Sequence, residues 1–171
     1  MKSNDTIKIE QLLHKQCFKT HPKLANEFGT TEVQLCDYKI TKGIEYVDFL
    51  SYDANDIFRC YEIKVSLADF HSNAKKSWYG HYNYLVMSTD LYNQKDKTYW
   101  RKEIPKGIGL ITFDLITGHR TSIFKATRNE IDDNIYNMLK NSLLKTLFYQ
   151  NHKFRIYKEK LCDPNRQRNN Y

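Results

Sequence analysis

Two apolar runs on either side of a short polar turn constrain the fold of this chain most strongly. Residues 44–52 and 57–65 are rich in β-branched and aromatic side chains, and residues 53–56 (Asp-Ala-Asn-Asp) are typical of a turn. The pattern predicts a β-hairpin. Because side chains alternate along a strand, Glu62 and Lys64 are expected on one face of the second strand, with their neighbours pointing into the core.

Asp48 lies in the first of these runs, where the hairpin would bring it beside the acid and the lysine of the second. Two carboxylates, with the backbone carbonyl of Ile63 as a further candidate ligand, can hold Mg²⁺, with Mn²⁺ as a substitute. Lys64 would then orient a water molecule or stabilise the developing charge. The arrangement predicts a site that hydrolyses phosphodiesters. The alternative for Glu62 and Lys64 is a cross-strand salt bridge on a solvated face, which stabilises a protein little.

A triplet of an acid, any residue and a lysine is common by chance in a chain this charged. Asp37-Tyr38-Lys39 is a second example, with no acid-bearing strand before it, and we interpret it as a surface strand end. Glu62-Ile63-Lys64 is followed by Ser66 and Asp69 in a capping-box pattern, which predicts the start of a helix. The spacing leaves open whether Asp69 also lies near the site.

The rest of the chain predicts a mixed α/β fold of a single domain over residues 1–171, with helices on the faces of a sheet. The predicted core, at about 5–115, is a helix, three strands, a helix and a strand, followed by a C-terminal hairpin and helix at about 107–160 and a frayed tail at about 163–171. The individual elements are a helix over 6–18, strands over 32–35, 44–52, 57–65 and 82–88, a helix after Ser66, a hairpin of 107–114 with 121–126, and a closing helix that begins with a capping box at 127–130 and turns Leu147 inward.

The charge of the chain favours a polyanionic partner. Its 27 basic and 20 acidic residues give a net charge of +7, which fits nucleic acid first and an acidic membrane second. No apolar run is long enough to span a membrane, and the N-terminus is amphipathic rather than apolar, so we expect a cytoplasmic protein without a membrane partner. The four cysteines lack close pairing, which disfavours a zinc site built on such pairs.

The order Asp48, Glu62-Ile63-Lys64 within this element pattern resembles the PD-(D/E)XK nuclease superfamily. Residues 61–70 (YEIKVSLADF), the basic pair that follows and the run Tyr82–Met87 are similar to the MmcB-like DNA-repair proteins and their phage-borne relatives. Residues 104–110 resemble the phage-type members. The resemblance covers roughly residues 5–115 and implies a restriction-endonuclease-like core.

The resemblance also implies an activity. It makes Asp48 and Glu62 metal ligands and gives Lys64 the role of positioning or activating water in a Mg²⁺-dependent deoxyribonuclease, with an endonuclease favoured, in phage or bacterial DNA repair or replication. Some members add a further acid, for which Glu10 in the first helix and Glu32 on the first strand are candidates; the alternative for each is an exposed charge. Val47 stands where the superfamily's name-giving proline would be.

Basic and aromatic residues follow the predicted site. Lys75 and Lys76 are candidates for gripping a DNA backbone, and Trp78 and Tyr79 for stacking on an exposed base. The alternative is a solvated helix end with a buried tryptophan. The basic residues of 153–160 would add nonspecific DNA affinity or solubility alone.

Two other functions compete with a nuclease. One is a non-catalytic DNA-binding or repair-accessory domain on the same fold, and the other is a basic protein that binds a protein partner or RNA. The sequence leaves open whether the DNA substrate is single- or double-stranded, and whether the protein forms a homodimer.

Overall fold

The computed structural model describes residues 2–17, 26–72 and 76–162, which form one six-stranded mixed sheet flanked by helices. The strands are β1 (Glu27–Gln34), β2 (Tyr46–Asp53), β3 (Phe58–Ile63), β4 (Tyr82–Ser88), β5 (Gly109–Phe113) and β6 (Arg120–Phe124). The helices are α1 (Asn4–Cys17), α2 (Tyr38–Thr41), α3 (Leu67–Phe70), α4 (Thr89–Tyr92), α5 (Lys97–Glu103) and α6 (Asp133–Cys162).

The six strands lie side by side in chain order. β1, β2 and β3 form an antiparallel meander, β4 runs parallel to β3, β5 runs parallel to β4, and β6 returns antiparallel to β5. The chain therefore has the α/β architecture that the sequence predicts. In the described part of the chain, no helix combines the length and the apolarity that crossing a bilayer requires.

The sheet is buried on both faces. Phe49 and Leu50 are consecutive in β2 and fully buried, and their side chains point to opposite faces. Phe49 packs with Ile9 of α1, whereas Leu50 belongs to the cluster that contains Leu139 of α6. A third cluster, centred on Trp100 of α5, covers the β4–β5 part of the sheet.

The strongest periodic segments are placed close to their predicted positions. The fourth strand occupies residues 82–88 as predicted, and the first helix begins two residues early at Asn4, with Ser3 Oγ accepting a hydrogen bond from Thr6 N at 3.1 Å. β1 is longer than the predicted strand over 32–35. Its Gly29 lies against Phe49, where a Cβ would come within 2.6 Å of the ring.

The predicted start of the closing helix was wrong. α6 begins at Asp133, and Asp132 Oδ1 accepts a hydrogen bond from Ile135 N at 2.9 Å. Residues 127–130 instead bond to distant loops, including a 2.8 Å hydrogen bond from Asn129 N to the His81 carbonyl. Leu147, predicted to face inward, is 39% exposed. The tail at 163–171 lies outside the described residues.

The Asp37 triplet is a helix cap rather than the surface strand end that the sequence suggested. Asp37 Oδ1 accepts hydrogen bonds from the backbone N–H groups of Lys39 at 2.9 Å and Ile40 at 3.4 Å, at the start of α2. The predictions also missed the short helices α4 and α5. Both are capped by side chains, Ser88 for the first and Asp96 for the second.

Candidate active site

Asp48 joins the start of β2 to the end of β3. The last backbone pair of the two strands at this end is Phe49 opposite Tyr61. Beyond it, Asp48 Oδ2 accepts a hydrogen bond from Ile63 N at 2.8 Å. The carboxylate thus lies beside the backbone segment that carries Glu62 and Lys64, as the predicted hairpin requires.

Glu62 and Lys64 form a buried ion pair. Lys64 Nζ lies 3.0 Å from Glu62 Oε1, and the two side chains are only 4% and 7% exposed. The Lys64 backbone N–H donates to the Val86 carbonyl at 2.9 Å, which fixes the end of β3 beside β4. The alternative of a salt bridge on a solvated face is therefore wrong for this pair.

Asp69 reaches the same point from the first turn of α3. Its Oδ1 lies 3.5 Å from Lys64 Nζ, and its Oδ2 accepts a hydrogen bond from Val65 N at 3.2 Å. Ser66 Oγ accepts from Asp69 N at 3.1 Å, which confirms the serine as the cap of α3. The Asp69 carboxylate thus binds Val65 N and Lys64 rather than the backbone N–H of Ser66, which the second bond of a capping box would require.

Burial and like charge raise the pKa values of both acids. Burial raises the pKa of Glu62 to about 7, and the charge of Asp48 adds to the effect, while Lys64 opposes it. Burial also raises the pKa of Asp48, against the hydrogen bond from Ile63 N and the charge of Lys64. Burial would lower the pKa of Lys64, but the surrounding carboxylates outweigh it and the pKa is raised. The ammonium of Lys64 therefore does not outweigh the effect of burial on either acid.

Glu10 and Glu32 lie near one another and share Lys2 as a partner. Lys2 Nζ binds Glu10 Oε1 and lies 3.0 Å from Glu32 Oε1. The Glu10 side chain is 12% exposed and that of Glu32 is 64% exposed, so the exposed-charge alternative fits Glu32 and not Glu10. Glu32, with φ of 53°, lies between the β1–β2 pairs Thr31–Phe49 and Val33–Val47, and the charge of Lys2 lowers the pKa of Asp48. Sequence reasoning missed Lys2, because nothing local in the sequence relates it to residues 10 and 32.

The predicted DNA-contacting residues are spread over different surroundings. Lys75 lies outside the described residues. Lys76 Nζ lies 5.8 Å from the centre of the Phe70 ring, and its charge lowers the pKa of Glu62, so this lysine is near the site. Trp78 is half-buried. Tyr79 packs against the core under α6, and its hydroxyl donates to Glu45 Oε2 at 3.4 Å, which leaves its ring less open for stacking on a base than predicted.

The comparisons with known proteins bear on the fold. No protein-family model and no curated protein matches this chain. Among solved structures, a protein of unknown function from Silicibacter pomeroyi superimposes with a TM-score of 0.65 at 12% sequence identity, covering 91% of this chain and 94% of that one. This likeness shows the fold alone.

Asp48 and Glu62 are the two residues that could hold a metal ion at this site. Within residues 2–17, 26–72 and 76–162, no group of three or more His, Cys, Asp or Glu side chains is arranged to hold a metal ion. Asp48 and Glu62 are two buried carboxylates whose charges interact. Mg²⁺ commonly binds proteins through one or two carboxylates, keeping several waters and binding substrate phosphates. The two acids therefore fit Mg²⁺ better than a metal that needs a full protein cage.

Proposed function

We propose that this protein is a metal-dependent nuclease of the PD-(D/E)XK kind that hydrolyses phosphodiester bonds in DNA. The observation that carries the proposal is the meeting of Asp48, Glu62 and Lys64 at one end of the β2–β3 hairpin, with the last two buried as an ion pair. Apart from the four-residue α2 between β1 and β2, the element order α1, β1–β3, α3, β4 supports a restriction-endonuclease-like core. The net charge of +7 fits a DNA substrate.

Asp48 and Glu62 would hold the Mg²⁺ ion. When bound there, the ion offsets the negative charge of the phosphodiester and lowers the pKa of a water molecule. Burial raises the pKa of Glu62 to about 7, so without a cation a proton competes for this carboxylate near neutral pH. A bound cation would displace that proton.

Lys64 would act on the attacking water and on the developing charge. Its ammonium is held by Glu62 at 3.0 Å and by Asp69 at 3.5 Å, so its position is determined from two sides before substrate arrives. A donor that is already oriented costs no reorganisation during reaction. Water would attack phosphorus in line, and the resemblance implies that the cleaved strand carries a 5′-phosphate.

A specific observation favours a second candidate, a non-catalytic DNA-binding domain on the same fold. Lys64 and Glu62 bond directly to each other, and a pair satisfied in this way can serve as a purely structural contact. This candidate predicts binding of DNA without cleavage, and no effect of divalent cations on the protein.

The deciding experiment is a cleavage assay on supercoiled, linear and single-stranded DNA with Mg²⁺, Mn²⁺ or EDTA. The parent is compared with Asp48→Asn, which keeps an oxygen to accept the Ile63 N–H, and with Lys64→Met, which keeps the length of the side chain. Lys39→Met, from the exposed Asp37 triplet, is the matched control. We expect cation-dependent cutting that both site variants lose and the control retains. Equal cutting by the parent and the folded site variants would show that the site is misassigned, and binding without cutting in every metal would select the second candidate.

A further inference from the structure

A groove opens beside Asp48 between the sheet and α6. It has a volume of about 800 Å³. β2 contributes Tyr46 and Asp48 to one wall, and α6 contributes Lys145, Tyr149 and Lys153 to the other. We call this the α6 groove. The wall that α6 contributes lies outside the part of the chain that carries the family resemblance.

Long-range hydrogen bonds hold the α6 wall against the sheet. Gln150 Oε1 accepts from Thr30 Oγ1 at 2.7 Å, and Gln150 Nε2 donates to the Thr31 carbonyl at 3.4 Å. About two turns earlier, Ser142 Oγ accepts from Cys36 N at 3.0 Å. These bonds flank Lys145 and Tyr149, so this part of the wall is built before any ligand binds.

The α6 wall alternates positive charge with an aromatic ring. Lys145, Tyr149 and Lys153 follow at four-residue intervals and so share one face of the helix, with the two lysines about 12 Å apart along its axis. Among the described residues, neither lysine forms an ion pair with an acid. Lys153 Nζ instead lies 4.5 Å from the centre of the Tyr149 ring. Both charges remain available to an anionic ligand.

The exposed tyrosine rings of the groove favour the binding of single-stranded over double-stranded DNA. Tyr149 is 58% exposed and Tyr46 on the opposite wall is 50% exposed. Unpaired bases stack on such rings while lysines follow the phosphates, whereas bases in a duplex are already stacked on one another. The volume is in the range that holds a ligand of small-molecule size, which matches a few nucleotides of one strand.

We propose that the α6 groove binds single-stranded DNA and leads the strand to Asp48. Lys145 and Lys153 bind successive parts of the backbone, and Tyr149 stacks on a base. The acid at the groove mouth, Glu32, has its charge offset by Lys2 at 3.0 Å, so it does not repel the strand as a free carboxylate would. The proposal that the strand is led to Asp48 rests on the proposed nuclease function, whereas the proposal that the groove binds the strand does not.

The test is fluorescence anisotropy with a labelled oligothymidylate in EDTA, which measures binding in the absence of cleavage. The groove variant is Lys145→Ala with Lys153→Ala, and Tyr149→Ala is measured separately. The control is Lys97→Ala with Lys102→Ala, which removes the same charge from exposed positions of α5. All substituted positions are exposed, so the variants should fold, and thermal melting verifies this.

We expect the groove variant to bind about tenfold more weakly, and the slope of log K against log salt to shrink by about 1.4, the value for two phosphate contacts on a single strand. Tyr149→Ala should weaken binding with no change in the salt slope. Equal losses in the groove and control variants would overturn the proposal, as would tighter binding of a duplex or of oligouridylate RNA.

The outcomes also separate the groove from the nuclease. Groove-dependent binding by a protein that cuts no DNA in any metal would support the groove and reject the proposed function. Parent-like binding by the groove variant, together with cutting that Lys64→Met abolishes, would reject the groove and leave the nuclease in place.

Discussion

The Lys64 ammonium lies 3.0 Å from the Glu62 carboxylate, and both side chains are almost completely excluded from solvent. In a buried pair, removing one partner costs more than the pair itself contributes, because it leaves a buried charge without compensation. Glu62 is also the acid whose pKa burial raises to about 7. Stability and proposed chemistry are linked at this point.

The link predicts a large and non-additive effect of substitutions on folding. Lys64→Met should lower the free energy of unfolding by about 3 kcal/mol at pH 8, because it leaves the buried Glu62 without its partner. Glu62→Gln should cost less, because Asp69 remains 3.5 Å from the ammonium. The double variant should be more stable than the sum of the two losses implies, with a coupling of about 1–3 kcal/mol. Urea unfolding of the four proteins measures the cycle, and simple additivity would contradict an energetic coupling across the pair.

Divalent cations should stabilise the folded protein. Because Asp48 and Glu62 are two buried carboxylates that raise one another's cost of ionisation, a cation that binds them in the folded state should raise the melting temperature. At a concentration one hundred times the Kd, the gain is about 2.7 kcal/mol. The gain should be larger at pH 8 than at pH 6, since protons compete for Glu62 below its pKa of about 7.

Thermal melting with Mg²⁺, Mn²⁺ or EDTA at the two pH values tests this expectation. Asp48→Asn should lose most of the cation effect, whereas the exposed control Lys39→Met should keep it. An unchanged midpoint at pH 8 in both metals would argue against a cation site and in favour of a basic interaction protein or a non-catalytic DNA-binding domain.

Local patterns predicted the elements better than the site. The alternation around residues 58–63 correctly placed Glu62 and Lys64 on one face, because the period of a strand is a local property. Their burial was not predictable in the same way, since it depends on how the neighbouring strand and the loop to Asp69 close over them. The capping-box pattern at 127–130 failed for a related reason: Asn129 bonds to the carbonyl of His81, a partner distant in sequence.

The α6 groove could not be predicted from local sequence patterns either, because its partners are even farther apart in the chain. Its wall is held by hydrogen bonds between Gln150 and residues 30 and 31 on β1, about 120 positions earlier. A polar residue in the middle of a basic helix gives no sign of such a partner. The helix itself was predicted, but its relation to Asp48 becomes visible in the folded chain alone.

His81 should make the stability of the fold depend on pH. Its Nδ1 accepts a hydrogen bond from Phe58 N at 3.0 Å, its ring is stacked on Phe58, and it is 8% exposed. Burial, and then the charge of Arg128, lowers the pKa of His81 below its usual value of 6.5. Protonation would also remove the acceptor for the Phe58 N–H.

The sign follows from proton uptake. The unfolded chain binds a proton at His81 near pH 6.5 and the folded chain does so at lower pH, so the stability is fully present above pH 6.5 and decreases as the pH falls below it. Each unit of pKa difference is worth about 1.4 kcal/mol. Glu62, whose pKa is raised to about 7, gives the opposite dependence in this range, so the effect of His81 is measured as the difference in urea midpoint between the parent and His81→Asn from pH 5 to 7.5. His81→Asn keeps an acceptor and does not titrate, so it should be less stable than the parent at pH 7.5 and the difference should shrink towards pH 5; a constant difference would assign the pH dependence to other groups.

Lys2 should compete with divalent cations for the acids around Asp48. Its ammonium binds Glu10 and Glu32 together, and those two bonds raise its pKa although burial opposes them. A cation that reached Glu10 would have to displace this ammonium. Lys2→Met should therefore lower the free energy of unfolding by less than about 1 kcal/mol, as expected for a partly exposed pair, and should increase the rise in melting temperature on adding Mg²⁺.

The matched control is Lys8→Met, which removes an exposed charge from α1 and should leave the Mg²⁺ effect as it is in the parent. If Lys2→Met and the parent respond equally to Mg²⁺, Glu10 does not take part in cation binding and its contact with Lys2 is structural. A smaller response in Lys2→Met would show that Lys2 supports the cation site, because removing its charge also raises the pKa of Asp48 and favours the proton over the metal. The direction of the change thus distinguishes competition from support.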